Sequence, residues 1–256
     1  MELALLEEGL CAEVRGVDLS QSVAQELFQS IRDALHRHAV LLIRGQRIAP
    51  AVQIAFCRRL GPPRVPALSQ YSLPGYPELQ LISNIVENGR VIGIQDAGTL
   101  WHTDGAYLAE PDMYTQLFAK EVPLADDGTV LGDTYFTNTA LAYEALPGDI
   151  QARIAHQRAV HSFTHYYDTL RASGKLKRAE LTAEQKARSP DVIHPMVRTH
   201  PVTGRKCLFV NESFTQAIIG MDEADSGYLL ALLFAHLKQP RFIYRHRWCV
   251  GDVLTW

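Results

Sequence analysis

The sequence predicts a mostly β fold with helical insertions, a sandwich or barrel built as one domain. Three observations predict it. Short strand-like pieces recur from residue 79 onward, most of them separated by Pro, Gly, Asn or Asp turn residues. Helical periodicity is confined to a few segments. The 256 residues are enough to bury a full core and lie within the range that all-β barrels and sandwiches reach as one domain.

Taken in order, the first element is an amphipathic helix between Ser22 and Ala39, where Val23, Leu27, Ile31 and Leu35 recur every four residues and Ser22 with Gln25 forms a candidate capping box. The apolar run Ala39 to Ile43 is too short for a helix, is rich in strand formers and is closed by Arg44-Gly45. A second helix from Pro50 to Leu60 begins with proline in its first turn and stops at Gly61 before Pro62-Pro63. Strands are then expected at Leu79 to Ile85, Met113 to Lys120, His194 to Thr199, Lys206 to Asn211, Arg241 to Trp248 and Val253 to Trp256. Helical insertions are expected at Thr139 to Leu146, Pro147 to Gln157 and Asp222 to Lys238. The stretch Arg171 to Asp191 has few large apolar residues, which suits either a mobile excursion near residues 168–192 or a solvated helix around Leu181 to Arg188.

Composition narrows the function. Hydrophobic residues at 47%, charged residues at 21% and a formal net charge of -3 leave no basic excess for a nucleic-acid backbone. Neither a signal peptide nor a run of about 18 apolar residues is present, so a cytoplasmic protein without a membrane partner is expected. Cys11, Cys57, Cys207 and Cys249 lie far apart without a CxxC pair, which fits reduced thiols.

The segment Leu100-Trp101-His102-Thr103-Asp104 carries the chemistry. If it is extended, residues two apart share a side, and His102 and Asp104 can offer an imidazole nitrogen and a carboxylate oxygen to one divalent ion. The spacing alone also fits a surface hydrogen-bonded pair. Trp101 and Tyr107 would give the ligands an aromatic, water-poor setting. Thr134, after Gly132-Asp133, offers a hydroxyl for a carboxylate, although the residues alone favour a turn residue there.

Several ordered segments resemble one family. Trp101-His102-Thr103-Asp104, Ala119-Lys120-Glu121-Val122-Pro123, Gly132-Asp133-Thr134, Ala142 to Leu146, His194 to Lys206, Val210 to Thr215 and Tyr244-Arg245-His246-Arg247-Trp248 are similar to the signatures of the taurine and 2,4-dichlorophenoxyacetate dioxygenases, and in the same order. The resemblance covers nearly the whole chain. It implies a double-stranded β-helix (a jelly roll, cupin-like) that uses Fe(II), 2-oxoglutarate and O2 to hydroxylate or desaturate a small molecule, releasing succinate and CO2. By the same resemblance His102 and Asp104 take the places of the first two iron ligands, and Thr134 that of the hydroxyl holding a 2-oxoglutarate carboxylate. Asp104 also favours hydroxylation or desaturation over halogenation, because halogenating relatives carry a small residue there. Relatives are commonly homo-oligomers, so a dimer or tetramer is expected.

The family's third iron ligand, a histidine, and its 2-oxoglutarate arginine follow the position of Trp256, and both are expected beyond it. His236, placed on a helix surface, and His246, placed within a strand, are the nearest alternatives for the third ligand. Taurine is not expected as substrate, since Gly61 to Pro66 stands where taurine enzymes carry a sulfonate-binding histidine and Gly98 replaces an asparagine. Asn84, Tyr107 and Arg64 are candidate substrate contacts, with a strand-end hydrogen bond, core packing and simple solvation as their respective alternatives. Two other functions fit less of the sequence. One is a non-catalytic jelly-roll ligand-binding protein with an incomplete metal site; the other is a zinc hydrolase using the same two ligands.

Overall fold

The computed structural model describes residues 1–66, 68–177 and 179–256. Its contacts divide the chain into two units. One comprises residues 1–97, 113–135 and 245–256, and the other residues 98–112 and 136–244.

The first unit is organised by a five-stranded sheet in the order Glu2–Leu6, Cys11–Arg15, Leu41–Ile43, Val253–Thr255, Gln116–Phe118. Cys11–Arg15 runs parallel to Leu41–Ile43, a pairing that needs a crossover, and the helix Gln25–His38 supplies it. Val253–Thr255 lies between two antiparallel neighbours, with Val253 opposite both Ile43 and Phe118. Such a strand has both faces covered, and Val253, Leu254 and Thr255 are all buried. The helix lays Phe28, Ile31, Ala34 and Leu35 into a core shared with Ala12, Val14, Leu41, Phe56 and Val253. It ends at Ala39, whose φ of 63° cannot continue a right-handed helix.

The second unit holds a three-stranded sheet in the order Val192–Pro195, Arg158–His161, Thr215–Ile218, and the hairpin Val197–Thr199 with Lys206–Leu208. Its longest helix, Glu223–Leu237, is capped by Asp222 and buries Leu229, Leu230 and Leu233 against Ala142, Met196, Leu208 and Val210. A separate aromatic core joins Ala106, Phe163, Tyr166, Tyr167 and Phe214.

The predicted helices form close to their expected bounds, at Gln25–His38, Pro50–Leu60, Thr139–Glu144, Gly148–Ile154 and Glu223–Leu237. Three expectations are corrected. The capping box at Ser22 does not form: Ala24 precedes the helix, and Arg59 binds the Val23 carbonyl and the Gln25 side chain instead. The strand expected at Leu79 to Ile85 lies at Tyr76–Gln80, because the Leu81 and Ser83 N–H groups turn to isolated partners, Tyr71 and Ile94. The chain is also less β-dominated than expected. Helical residues outnumber strand residues among those described, since Phe163–Ala172 and Ala183–Arg188 are helices. The second of these is exposed and opens with a capping box of Thr182 and Gln185.

Among the described residues no helix is long and apolar enough to cross a membrane. Among the described residues, no disulfide joins the four cysteines.

Candidate metal centre

His102 and Asp104 do meet, with His102 Nε2 3.3 Å from Asp104 Oδ1. Strand alternation is not the cause. The segment is irregular, and a turn from Thr103 to Ala106 brings the two side chains to one side. His102 Nδ1 lies 2.8 Å from the Leu100 carbonyl. A carbonyl can only accept, so Nδ1 carries the proton and Nε2 presents its lone pair. Two electron-rich atoms therefore face each other, an arrangement that calls for a cation between them.

The proton is one such cation. Its desolvation by the surrounding protein works against the charged imidazole, but the hydrogen bond and charge of Asp104, helped by the Leu100 carbonyl, outweigh it and raise the His102 pKa. A divalent metal is the other. The Leu100 contact is the kind of outer hydrogen bond that fixes the tautomer of a metal-binding histidine.

The loop that carries the pair is tied down on several sides. The Trp101 carbonyl accepts from the Ser213 hydroxyl at 2.9 Å and from the Ser213 N–H at 3.2 Å. Gly105, at φ +66°, passes so close to Asp112 that a Cβ would stand 2.7 Å from the Asp112 nitrogen. His194 Nε2 donates to the Leu108 carbonyl at 2.8 Å. The spacing of the histidine and aspartate carries no sign of these clamps, although Ser213 and His194 both lie in segments that shared the family wording.

The aromatic setting is one-sided. Phe214 meets the His102 ring edge-on, and Tyr107 packs on Phe163 and Phe214 at 4.5 and 5.0 Å between ring centres. The His102 and Asp104 side chains keep 35% and 28% of their surface exposed, so the expected exclusion of water is not provided by these rings alone.

Among the described residues, no group of three or more His, Cys, Asp or Glu is placed to hold a metal. His236 is buried rather than on the surface, donating to the Ala142 carbonyl and accepting from Gln239, so both its nitrogens are engaged. His246 is fully buried and pairs with Asp252.

Thr134, in the first unit, starts the strand Thr134–Thr137, and its Oγ1 accepts a hydrogen bond of 2.9 Å from the Trp248 indole. The preceding Asp133 is ion-paired with Arg245. Asn84 and Arg64 are exposed residues of the same unit.

Comparison with known proteins places this arrangement in a family. The model described as "Taurine catabolism dioxygenase TauD, TfdA family" matches residues 3–256. The chain belongs to the TauD/TfdA family. A family relative, the alpha-ketoglutarate-dependent 2,4-dichlorophenoxyacetate dioxygenase of Cupriavidus pinatubonensis, is 33% identical over 96% of this chain and 85% of its own. Pentalenolactone F synthase of Streptomyces avermitilis is 32% identical over 96% of this chain and 82% of its own. Among solved structures, a taurine dioxygenase from Burkholderia xenovorans superposes with a TM-score of 0.79 at 30% identity, covering all of this chain and 79% of that one. As a TauD/TfdA protein the chain is a 2-oxoglutarate-dependent dioxygenase, with Fe(II), 2-oxoglutarate and O2 as the cofactors the family implies. Membership favours this enzyme over a non-catalytic binding protein.

Proposed function

We propose that this chain holds Fe(II) through His102 Nε2 and an Asp104 carboxylate oxygen, and uses 2-oxoglutarate to hydroxylate or desaturate a small molecule. The observation that carries the reading is the convergence of these two acceptors at 3.3 Å, with Nδ1 committed to Leu100. When bound, iron and 2-oxoglutarate supply the activation of dioxygen and the release of succinate and CO2. The protein contributes position. Leu100 fixes the imidazole tautomer, Ser213 and Gly105 fix the loop, and the Thr134 hydroxyl binds a carboxylate of 2-oxoglutarate.

The family also supplies the finer fold reading, a double-stranded β-helix spanning the 256 residues as one oxygenase module. Support comes from the superposition on the Burkholderia xenovorans taurine dioxygenase, which covers all of this chain and 79% of that one. A dimer or tetramer is proposed by the same analogy.

For the substrate we propose a small organic molecule, with Asn84, Tyr107 and Arg64 each a separate candidate contact. An anionic group would suit Arg64. The relatives named for 2,4-dichlorophenoxyacetate and for sulfate esters make aryloxyalkanoates and sulfate esters the first compounds to screen. The test is oxygen uptake with matched succinate release across such a panel. Both are expected in the full-length protein and absent in His102→Ala and Asp104→Ala; substrate turnover without oxygen uptake would contradict the reading.

A further inference from the structure

The segment Tyr244 to Trp248 resembles the family without any of its residues being placed in the site, and its contacts give it a task. The Trp248 indole Nε1 is 2.9 Å from Thr134 Oγ1. An indole N–H donates and cannot accept, so this bond occupies a lone pair of the hydroxyl oxygen and leaves the Thr134 O–H as a donor to be directed elsewhere. A hydroxyl that must donate is suited to a carboxylate.

The indole is itself held. The His246 ring packs edge-on against it at 4.4 Å between ring centres. His246 Nε2 bonds Asp252 Oδ2 at 3.1 Å, and the same oxygen accepts from Arg44 Nη1 at 2.8 Å and the Cys249 N–H at 2.9 Å. Asp252 and His246 are fully buried and Trp248 nearly so. A buried carboxylate with a charge-assisted bond to Arg44 is a rigid anchor, because moving it would strand charge away from water. A second tie acts one residue before the hydroxyl, where Arg245 Nε reaches Asp133 Oδ2 at 2.6 Å. Arg245 and Trp248 thus grip neighbouring positions, one through the Asp133 carboxylate and the other through the Thr134 hydroxyl.

We infer that Trp248 is a positioning residue for 2-oxoglutarate: its indole N–H, braced by His246 and Asp252, sets the Thr134 hydroxyl as a donor to the co-substrate carboxylate. The inference rests on the assignment of Thr134 made above, and the experiment separates the two. Equilibrium binding of 2-oxoglutarate to the full-length protein loaded with Mn(II) is measured for wild type, Thr134→Ala, Trp248→Phe and the double variant, with Mn(II) affinity measured alongside. Trp248→Phe keeps an aromatic ring against His246 and removes the N–H donor together with part of the ring volume.

Loss of one hydrogen bond should weaken 2-oxoglutarate about fivefold in each single variant. The double variant should be no weaker than Thr134→Ala, and Mn(II) affinity should stay unchanged throughout. Multiplying effects in the double variant, or a normal affinity in Trp248→Phe beside a weakened Thr134→Ala, overturns the positioning role. An unchanged affinity in Thr134→Ala overturns the assignment of Thr134 and the inference with it. Should Trp248→Phe fail to fold, the indole N–H resonance of Trp248 is followed in Thr134→Val. An upfield move relative to wild type supports the bond, and an unmoved resonance overturns it.

Discussion

His102 Nδ1 and the Leu100 carbonyl, 2.8 Å apart and two residues apart in the chain, decide which nitrogen of the imidazole faces Asp104. Without that contact the ring could present either tautomer, and the 3.3 Å approach of Nε2 to the carboxylate would be an ordinary polar pair. With it, a loop too irregular to be a strand presents two acceptors to one cation.

The loop conformation depends on Gly105. A side chain there meets both a left-handed backbone, at φ +66°, and the Asp112 nitrogen 2.7 Å from the new Cβ. Gly105→Ala should destabilise the protein by about 1–3 kcal/mol in urea denaturation and weaken Mn(II) binding at least tenfold. A variant with wild-type stability and metal affinity would show that the loop tolerates another path.

Ser213 acts from the far side of the same loop. It is fully buried and donates twice to the Trp101 carbonyl, through its hydroxyl and its N–H. Ser213→Ala keeps the backbone bond and should cost about 1 kcal/mol of stability. Metal affinity is expected to fall less than in Gly105→Ala, because one of the two ties remains; titration of both variants with Mn(II) gives the order.

His161 should make stability depend on pH. Its ring is fully buried, and neither nitrogen completes a hydrogen bond among the described residues. Burial first, then the neighbouring His194 and Arg198, push its pKa down from 6.5 to about 4. The folded state thus holds His161 neutral while the unfolded chain protonates it below pH 6.5. Its contribution is complete above that pH and is lost as pH falls toward 4, on the order of 3 kcal/mol across the window. Urea midpoints of wild type and His161→Phe at pH 7 and pH 4.5 check this. The wild type should lose more stability on acidification than the variant, and equal losses would contradict the assignment.

The helices were legible because apolar spacing, the proline of the first turn at Pro50 and the capping aspartate at Asp222 are local signals that packing did not override. The N-terminal hairpin Glu2–Leu6 with Cys11–Arg15 was not anticipated, since five-residue strands of mixed burial carry little periodicity. Phe163–Ala172 was missed as well; its buried face is aromatic, Phe163, Tyr166 and Tyr167, residues with no strong helix preference. At the site, the residues His102, Asp104 and Thr134 could be named because family wording surrounds them. The roles of Leu100, Ser213 and Trp248 could not, because each depends on a contact that spacing does not encode. Ser213 reaches Trp101 across 112 positions, and Trp248 reaches Thr134 across 114.

The most direct test of the two-residue metal centre is the visible absorption of the full-length protein under anaerobic conditions with Fe(II) and 2-oxoglutarate. A metal-to-ligand charge-transfer band is expected in the wild type and should vanish in both His102→Ala and Asp104→Ala. A band of undiminished strength in either variant would contradict the assignment of that residue to iron.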